Sequence, residues 1–201
     1  MINETNDKIR YTSFKSFLEK GYEATSIRDI CKEVDIKPST LYFYYESKCD
    51  LFLSIYDEIL DRKIAFLVNI NVLNDNLSLE LKIKWLYKEI LNYCSKNILN
   101  EKFLLRYHLF PAEEIISSTK DRYNYWKTEE NKALLQFIYK YNDKEVFNND
   151  TIINNFLFLY KDFLAHQEIN MVINNIKPTT QEIEMYWGRF WNSYILNLQN
   201  K

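Results

Sequence analysis

The segment SIRDICKEVDIKPSTLYFYYESK, residues 26–48, contains two short helical patterns that are joined by a tight turn. Ser26 can cap the first helix, and Asp29 three residues later completes a capping box. Pro38 stands where the first turn of a second helix tolerates proline. Two short helices joined in this way, with a preceding helix to brace them, indicate a helix-turn-helix. The second helix of that motif enters the major groove of DNA.

The remainder of the 201-residue chain also favours helices. The sequence contains two glycines and three prolines, too few for the turns that connect the strands of a sheet. Apolar residues recur at helical spacing in about nine segments, and the clearest break falls at residues 71–78. We therefore predict an all-α protein of about nine helices, whose first three form a separate N-terminal domain.

Several kinds of functional site are excluded by composition and spacing. Gly21 and Gly188 stand far apart, whereas a P-loop or a dinucleotide-binding turn needs several glycines within a few residues. The three cysteines form no CxxC pair and the two histidines form no HExxH motif, so we predict no metal, no cofactor and no enzymatic activity. The sequence shows no signal peptide and no apolar run of about 20 residues, which predicts a cytoplasmic protein without membrane contact.

Helical spacing divides the aromatic run of residues 42–45 between the core and the surface. Leu41 and Tyr45 fall four residues apart and are predicted to pack inward, whereas Phe43 lies on another face. An exposed aromatic ring in a recognition helix can contact a thymine methyl group, and hydroxyl groups can bond base edges or phosphate. Lys48 begins the next helix, where its charge and the helix dipole both favour a phosphate. The alternative, burial of all four rings, requires a helix that is enclosed on every side.

The segment GYEATSIRDICKEVDIKPSTLYFYYESKCDLF, residues 21–52, resembles the tetracycline-repressor (TetR) family of bacterial transcription regulators. The resemblance extends over roughly residues 8–55 and preserves the spacing of the helix-turn-helix. It depends on Gly21-Tyr22, Thr25-Ser26, Ile30, Leu41-Tyr42, Tyr45 and Ser47-Lys48. The chain differs from the family pattern at Asp35, Tyr44 and Ser13, where glycine, histidine and alanine are usual.

This resemblance implies a dimeric, ligand-responsive DNA-binding regulator, in the first instance a repressor of a palindromic operator. The implied domains are a helix-turn-helix DNA-binding domain at residues 1–48 and a ligand-binding and dimerisation domain at residues 49–201. The implied partners are double-stranded operator DNA, a small-molecule effector and a second copy of the chain. Residues at the DNA-contact positions of the family are Thr25, Ser26, Arg28, Lys37, Pro38, Ser39, Thr40, Tyr42, Phe43, Tyr44 and Lys48.

The C-terminal part of the chain contains more aromatic residues than the core of a bundle of this size needs. A packed core is the ordinary explanation for any one of them. Together they suit a cavity for an apolar, aromatic or acyl ligand. The predicted ligand-binding residues are Phe103, Tyr107, His108, Tyr123, Trp126, Phe156, Tyr160 and Gln167.

A wide aromatic stripe marks the last helical segment, where little chain remains to cover it. Exposed apolar patches of this size usually mark interfaces, so we predict that the stripe forms the surface of a homodimer. In the family that the sequence resembles, the two final helices form a four-helix bundle with those of the partner. The predicted interface residues are Ile183, Trp187, Phe190, Trp191 and Tyr194.

Two other functions stay open on the sequence. Residues 1–48 contain eight Lys and Arg against eight Asp and Glu, so the proposed DNA-reading head is neutral and a single copy should bind DNA weakly. A helical protein-interaction adaptor without DNA binding would explain the aromatic residues. An all-α enzyme is the other alternative, although the adjacent carboxylates of Glu113 and Glu114 cannot face each other on a helix.

Overall fold

The computed structural model describes residues 2–72, 76–141 and 147–199, and its regular structure within these ranges is helical. The prediction of an all-α fold with about nine helices is confirmed. No helix in these ranges is both long and apolar enough to cross a membrane. A short 3₁₀ helix, Glu113–Ile115, precedes the seventh α-helix. The α-helices are α1 (Ile2–Lys20), α2 (Ile27–Val34), α3 (Pro38–Tyr44), α4 (Lys48–Asn69), α5 (Leu79–Lys96), α6 (Ile98–Leu109), α7 (Ile116–Tyr141), α8 (Asp150–Asn174) and α9 (Thr180–Gln199).

The chain divides into two compact units. The first unit comprises Met1–Ala65 and Lys102–Glu129, and the second comprises Phe66–Glu101 and Glu130–Lys201. Helices α4, α6 and α7 therefore contribute residues to both units. The functional domain boundary after residue 48 stays a prediction.

An aromatic core holds the first unit together. The buried ring of Phe52 on α4 contacts Phe17 and Tyr22 at centroid distances of 5.3 and 5.4 Å. It also contacts Phe103 and Tyr107 of α6 at 5.5 and 4.6 Å. Full burial of one such ring stabilises a fold by about 1.5–3 kcal/mol. This core fixes the start of α4 against α1 and α6.

The C-terminal end of α1 is capped by side chains from α6. The Phe17 carbonyl accepts a hydrogen bond of 2.8 Å from the Tyr107 hydroxyl, and the Leu18 carbonyl accepts one of 3.2 Å from Arg106 Nη1. The last four carbonyls of a helix have no partner inside it, and the Leu18 carbonyl finds its partner in Arg106. The Phe17 carbonyl also accepts from the Gly21 N–H at 3.1 Å, so Tyr107 is its second donor. Gly21 follows with a φ of +91°, and a Cβ atom there would lie 2.5 Å from Arg106 Nη2.

The turn between α2 and α3 depends on a left-handed residue. Asp35 has a φ of 58°, and the N–H of Ile36 donates to the Cys31 carbonyl at 2.9 Å. Ser26 caps the start of α2 as predicted, because its hydroxyl accepts a hydrogen bond from the N–H of Arg28 at 3.1 Å. The two ends of α2 thus fix the position from which α3 departs.

Asp35→Gly is expected to raise the free energy of unfolding by about 0.5–1 kcal/mol, because a left-handed backbone strains every residue with a Cβ atom. Asp35→Ala should lower it, since alanine has the Cβ atom without the local hydrogen bonds that help aspartate tolerate this region. Urea denaturation followed by circular dichroism measures both changes. An alanine variant more stable than the glycine variant would contradict the strain at this turn.

The second unit buries the aromatic stripe of α9, which corrects the expectation that this stripe lacks cover. Trp187 stacks on Tyr87 of α5 at 5.8 Å, and Trp191 and Tyr194 contact Phe156 of α8. Of the predicted interface residues, Ile183, Trp187, Trp191 and Tyr194 are buried and Phe190 is half-buried. The long helices α5 and α8 supply the cover, so these side chains belong to the core of one copy of the chain.

Candidate functional site

Helix α3 presents its first turn and one side to solvent. Lys37, Pro38 and Ser39 are exposed, as are Tyr42 and Phe43, whose ring is 75% accessible. The same helix turns Leu41 inward, and the Tyr45 side chain that follows it is also buried, as predicted from their spacing. The half-buried ring of Tyr44 lies edge-on to that of Phe43, with centroids 5.2 Å apart. The exposed side of α3 therefore presents the Phe43 ring, which Tyr44 contacts, together with the hydroxyl groups of Ser39 and Tyr42.

Two residues predicted to bind DNA, Thr25 and Ser26, make hydrogen bonds within the fold. Thr25 is buried, and its hydroxyl donates to the Gly21 carbonyl at 2.7 Å. This bond corrects the expectation that the Thr25 side chain faces DNA, because the side chain instead closes the turn between α1 and α2. Ser26 is occupied as the cap of α2, whereas Arg28 is exposed and Thr40 is half-buried.

Lys48 is positioned by Tyr22. Its Nζ donates to the Tyr22 carbonyl at 3.1 Å and lies 4.2 Å from the centroid of the Tyr22 ring. The Tyr22 hydroxyl donates to Glu114 Oε1 at 2.6 Å, and burial together with this carboxylate raises the pKa of Tyr22. Tyr22 therefore stays protonated and keeps its ring in place beneath the amine. This pairing cannot be predicted from the sequence, since no local pattern links residues 92 positions apart.

The predicted ligand-binding residues are divided between the two units. Phe103 and Tyr107 belong to the core of the first unit, and Phe156 and Tyr160 to the core of the second. Gln167 is buried beside an open pocket of about 300 Å³ in the second unit, which Met171, Ile176 and Tyr186 also line. The remaining three, His108, Tyr123 and Trp126, come together in the first unit.

These three residues join two others in a group that we call the His108 cluster, formed by Tyr56, Lys63, His108, Tyr123 and Trp126. The centroid of the His108 ring lies 5.9 Å from that of Tyr56, 4.3 Å from Tyr123 and 6.2 Å from Trp126. Lys63 Nζ lies 5.4 Å from the centroid of the Trp126 ring. Helices α4, α6 and α7 thus each contribute to one polar and aromatic group.

Burial governs the protonation states of the His108 cluster. Lys63 is 4% exposed. Burial and the nearby charge of Lys63 lower the pKa of His108 to about 4, so the imidazole is neutral at neutral pH. Burial raises the pKa of Tyr56, which therefore keeps its proton. The sequence signal for Lys63 is its spacing of seven residues from Tyr56, which places both on one face of α4.

The second unit brings together Cys94, Glu101 and Glu168, whose potential ligand atoms all lie within 4.8 Å of one another. The Cys94 thiol donates a hydrogen bond to Glu168 Oε1 at 3.4 Å. This bond accounts for the approach of the thiol to that carboxylate, and we assign no metal to the group. Sequence spacing gave no sign of it, because the three residues come from α5, α6 and α8.

Residues 9–55 match the sequence model of the family described as bacterial regulatory proteins, tetR family. The HTH-type negative transcriptional regulator IcaR of the biofilm operon icaADBC from Staphylococcus epidermidis is 30% identical over 113 residues. IcaR from Staphylococcus aureus strain Newman is 39% identical over 72 residues, or 36% of this chain and 37% of that protein. The match to the first relative covers 56% of this chain and 57% of that protein, so the chain aligns with just over half of its length.

The fold extends beyond the segment matched in sequence. The crystal structure of a TetR transcription regulator from Haloarcula marismortui superposes with a TM-score of 0.66 and covers 96% of each chain. The two sequences are 19% identical, so this likeness establishes a shared fold across the helices of both units.

Proposed function

We propose that the chain, whose residues 9–55 match the sequence model of the tetR family of bacterial regulatory proteins, is a DNA-binding transcriptional regulator of that family. It binds a palindromic operator as a homodimer and represses transcription until a small-molecule effector releases it. The exposed side of α3 carries this proposal. There, a left-handed turn at Asp35 is followed by a helix that leaves Ser39, Tyr42 and Phe43 open to solvent.

The composition of that exposed side suits the major groove. The exposed ring of Phe43 can contact a thymine methyl group when α3 lies in the groove. The hydroxyls of Ser39 and Tyr42 can bond base edges or phosphate. Arg28 at the start of α2 and Lys37 before α3 add positive charge on either side of the turn.

Lys48 suits a phosphate contact beside the groove. A lysine amine has three N–H donors, and the Tyr22 carbonyl occupies one of them. Lys48 is the first residue of α4, so unpaired backbone N–H groups and the helix dipole also favour an anion there. The contact with Tyr22 holds the amine near this end of α4 and reduces the entropy lost when it binds phosphate.

We assign the homodimer to the exposed apolar side of α8. Phe158, Ile169 and Ile173 are exposed and follow helical spacing along this helix, and Ile176 is exposed just beyond its end. Met185 of α9 is exposed as well. Apolar residues that share one exposed face of a helix suit an interface, and these side chains, unlike the aromatic stripe of α9, are free of the core. Two copies of this surface can pair about a two-fold axis, as a palindromic operator requires.

Two substitutions should separate base reading from phosphate binding. Phe43→Ala is expected to weaken binding to the operator about 10- to 100-fold, with little change on random DNA, because only base contacts discriminate between sequences. Lys48→Ala should weaken binding to both DNAs similarly and reduce the slope of log affinity against log salt by about one. Fluorescence anisotropy with a duplex from the promoter region flanking the protein's own gene measures both effects.

Lys120→Ala, a change of an exposed lysine on α7, serves as the control for the loss of a charge. Equal losses on operator and random DNA for Phe43→Ala would contradict base reading by this ring. If the wild-type dimer bound neither DNA at low salt, the regulator proposal would fail and the adaptor interpretation would replace it.

A further inference from the structure

Gln167 is a polar residue in an otherwise apolar and aromatic row of α8. It is 3% exposed. Glutamine is mostly found on protein surfaces, and burial of its amide without a hydrogen bond lowers stability. A core position taken by glutamine therefore indicates that the amide has a use there. The buried residues of this helix are Ile153, Phe156, Leu157, Tyr160, Leu164, Gln167 and Met171.

The Gln167 amide is available to a ligand. Within the described ranges its side chain makes no hydrogen bond, although it lines the open pocket of about 300 Å³ in the second unit. This pocket lies between the C-terminal end of α8 and the start of α9. Gln167 is on the core side of α8, whereas Ile169 and Ile173 of the proposed homodimer surface are on its exposed side.

The other polar groups around the pocket are mainly hydrogen-bond acceptors. Asn174 Nδ2 donates to the Asn170 backbone carbonyl at 2.9 Å, and Asn170 Nδ2 lies 3.0 Å from His166 Nε2. These contacts leave the Oδ1 atoms of both asparagines as acceptors. Glu182 Oε2 accepts from the N–H and the hydroxyl of Thr179, each at 2.8 Å, which leaves Oε1 as a third acceptor. A matching ligand must bring several donors.

The charge and the apolar side of the pocket specify the ligand further. Hydrogen bonds from the Thr179 N–H and hydroxyl lower the pKa of Glu182, so its carboxylate is ionised at neutral pH. Among the described residues that line the pocket there is no lysine, arginine or histidine, so an anion is disfavoured. Met171 and Ile176 add apolar contacts, and the half-buried Tyr186 offers an aromatic face. These features suit a neutral ligand with hydroxyl groups along its edge and C–H groups on its faces.

We propose that this pocket binds one ring of a neutral sugar. The sugar hydroxyls donate to Asn170, Asn174 and Glu182. One hydroxyl also accepts from the Gln167 amide, while a C–H face of the ring packs on Tyr186. A volume of about 300 Å³ is at the lower limit of ordinary ligand pockets and suits a single ring. Binding needs neither operator DNA nor a second copy of the chain, so this site is independent of the function proposed above.

Three hexoses and two kinds of matched analogue test the site. We expect at least one of D-glucose, D-galactose and D-mannose to bind the full-length protein in ligand-observed NMR titrations, with a dissociation constant of about 1 mM or below. Cyclohexylmethanol, which has a six-membered ring but one hydroxyl, should bind at least about tenfold more weakly than that hexose. The uronate of the same hexose, which has a carboxylate in place of the hydroxymethyl group, should also bind about tenfold more weakly, because Glu182 repels it.

Gln167→Leu separates binding from stability. Leucine fills the buried position and removes the amide, so hexose binding should fall at least about tenfold. The melting temperature of the free protein should rise by about 2–4 °C, because a buried amide without a partner is removed. Asn174→Ala should weaken hexose binding about three- to tenfold. Glu182→Gln keeps a side chain that can cap the start of α9, and it should bring uronate binding to within about threefold of hexose binding.

Two variants control for changes outside the pocket. Gln136→Leu and Asn155→Ala change exposed residues of the second unit that do not line it, and both should bind the hexose as the wild type does. If Gln167→Leu does not fold, Asn174→Ala and the uronate test with Glu182→Gln decide the matter. Failure of all three hexoses to bind would overturn the sugar site. So would cyclohexylmethanol binding as tight as that of the hexose, or hexose binding that folded Gln167→Leu and Asn174→Ala leave unchanged.

Discussion

Replacing Phe158 and Ile173 with glutamate is expected to convert the proposed homodimer into a monomer. Both side chains are exposed on α8, at 67% and 71%, and burial of each is worth about 1.5–3 kcal/mol. The two-fold axis doubles every loss, because each residue occurs on both sides of the interface. The sum exceeds about 6 kcal/mol, which raises the dissociation constant of the dimer more than about 10⁴-fold.

Operator affinity should fall with the dimer, since the neutral charge of residues 1–48 predicts weak DNA binding by one copy. Sedimentation velocity at micromolar concentration and anisotropy on the operator measure the two losses in the same samples. Ile116→Glu with Tyr125→Glu changes two exposed residues of the first unit and serves as the control. A Phe158, Ile173 double variant that stays dimeric would show that the interface lies elsewhere.

Trp187→Ala is expected to lower the free energy of unfolding by about 3–5 kcal/mol, as deletion of a buried tryptophan side chain usually does. Trp187 is 1% exposed and lies between the rings of Tyr87 and Trp191, at 5.8 and 5.6 Å. Its Nε1 also donates to Glu80 at 3.1 Å, so the substitution removes the partner of that carboxylate. Urea denaturation at a fixed protein concentration measures the change.

The comparison of Trp187→Ala with the α8 double variant tests whether the α9 stripe belongs to the core of one copy or to the dimer interface. Trp187→Phe should lose less stability than Trp187→Ala, since it keeps an aromatic ring in the same space. The α8 double variant should instead leave the unfolding of the isolated monomer nearly unchanged, because its substitutions are on the surface. A stable but monomeric Trp187→Ala protein would mean that the stripe forms an interface after all.

Local patterns in the sequence were sufficient for the helix-turn-helix. The Ser26 cap is a signal within a few residues of the helix it starts, and the inward positions of Leu41 and Tyr45 follow from helical spacing alone. Such features depend on backbone geometry and near neighbours. The all-α fold followed from similar signals, repeated along the chain.

Contacts between distant parts of the chain could not be predicted in this way. The sequence predicted an exposed stripe on α9, because nothing in the stripe itself shows that α5 and α8 pack over it. Tyr22 and Glu114 pair across 92 positions, and Lys63 meets His108 and Trp126 only after three helices have packed. Pattern reasoning identifies amphipathic faces, whereas the choice of partner for each face depends on the packing of the whole unit.

Three consecutive residues of α6 link the C-terminal end of α1 to the His108 cluster. Arg106 and Tyr107 hold the final carbonyls of α1, and His108, the next residue, faces the buried cluster. A helix turn is stiff over this length, so the positions of these three residues on α6 are fixed relative to one another. The end of α1 must follow, and with it the turn at Gly21 that leads into α2. The position of the turn before α2 therefore depends on α6, a helix more than 80 residues further along the chain.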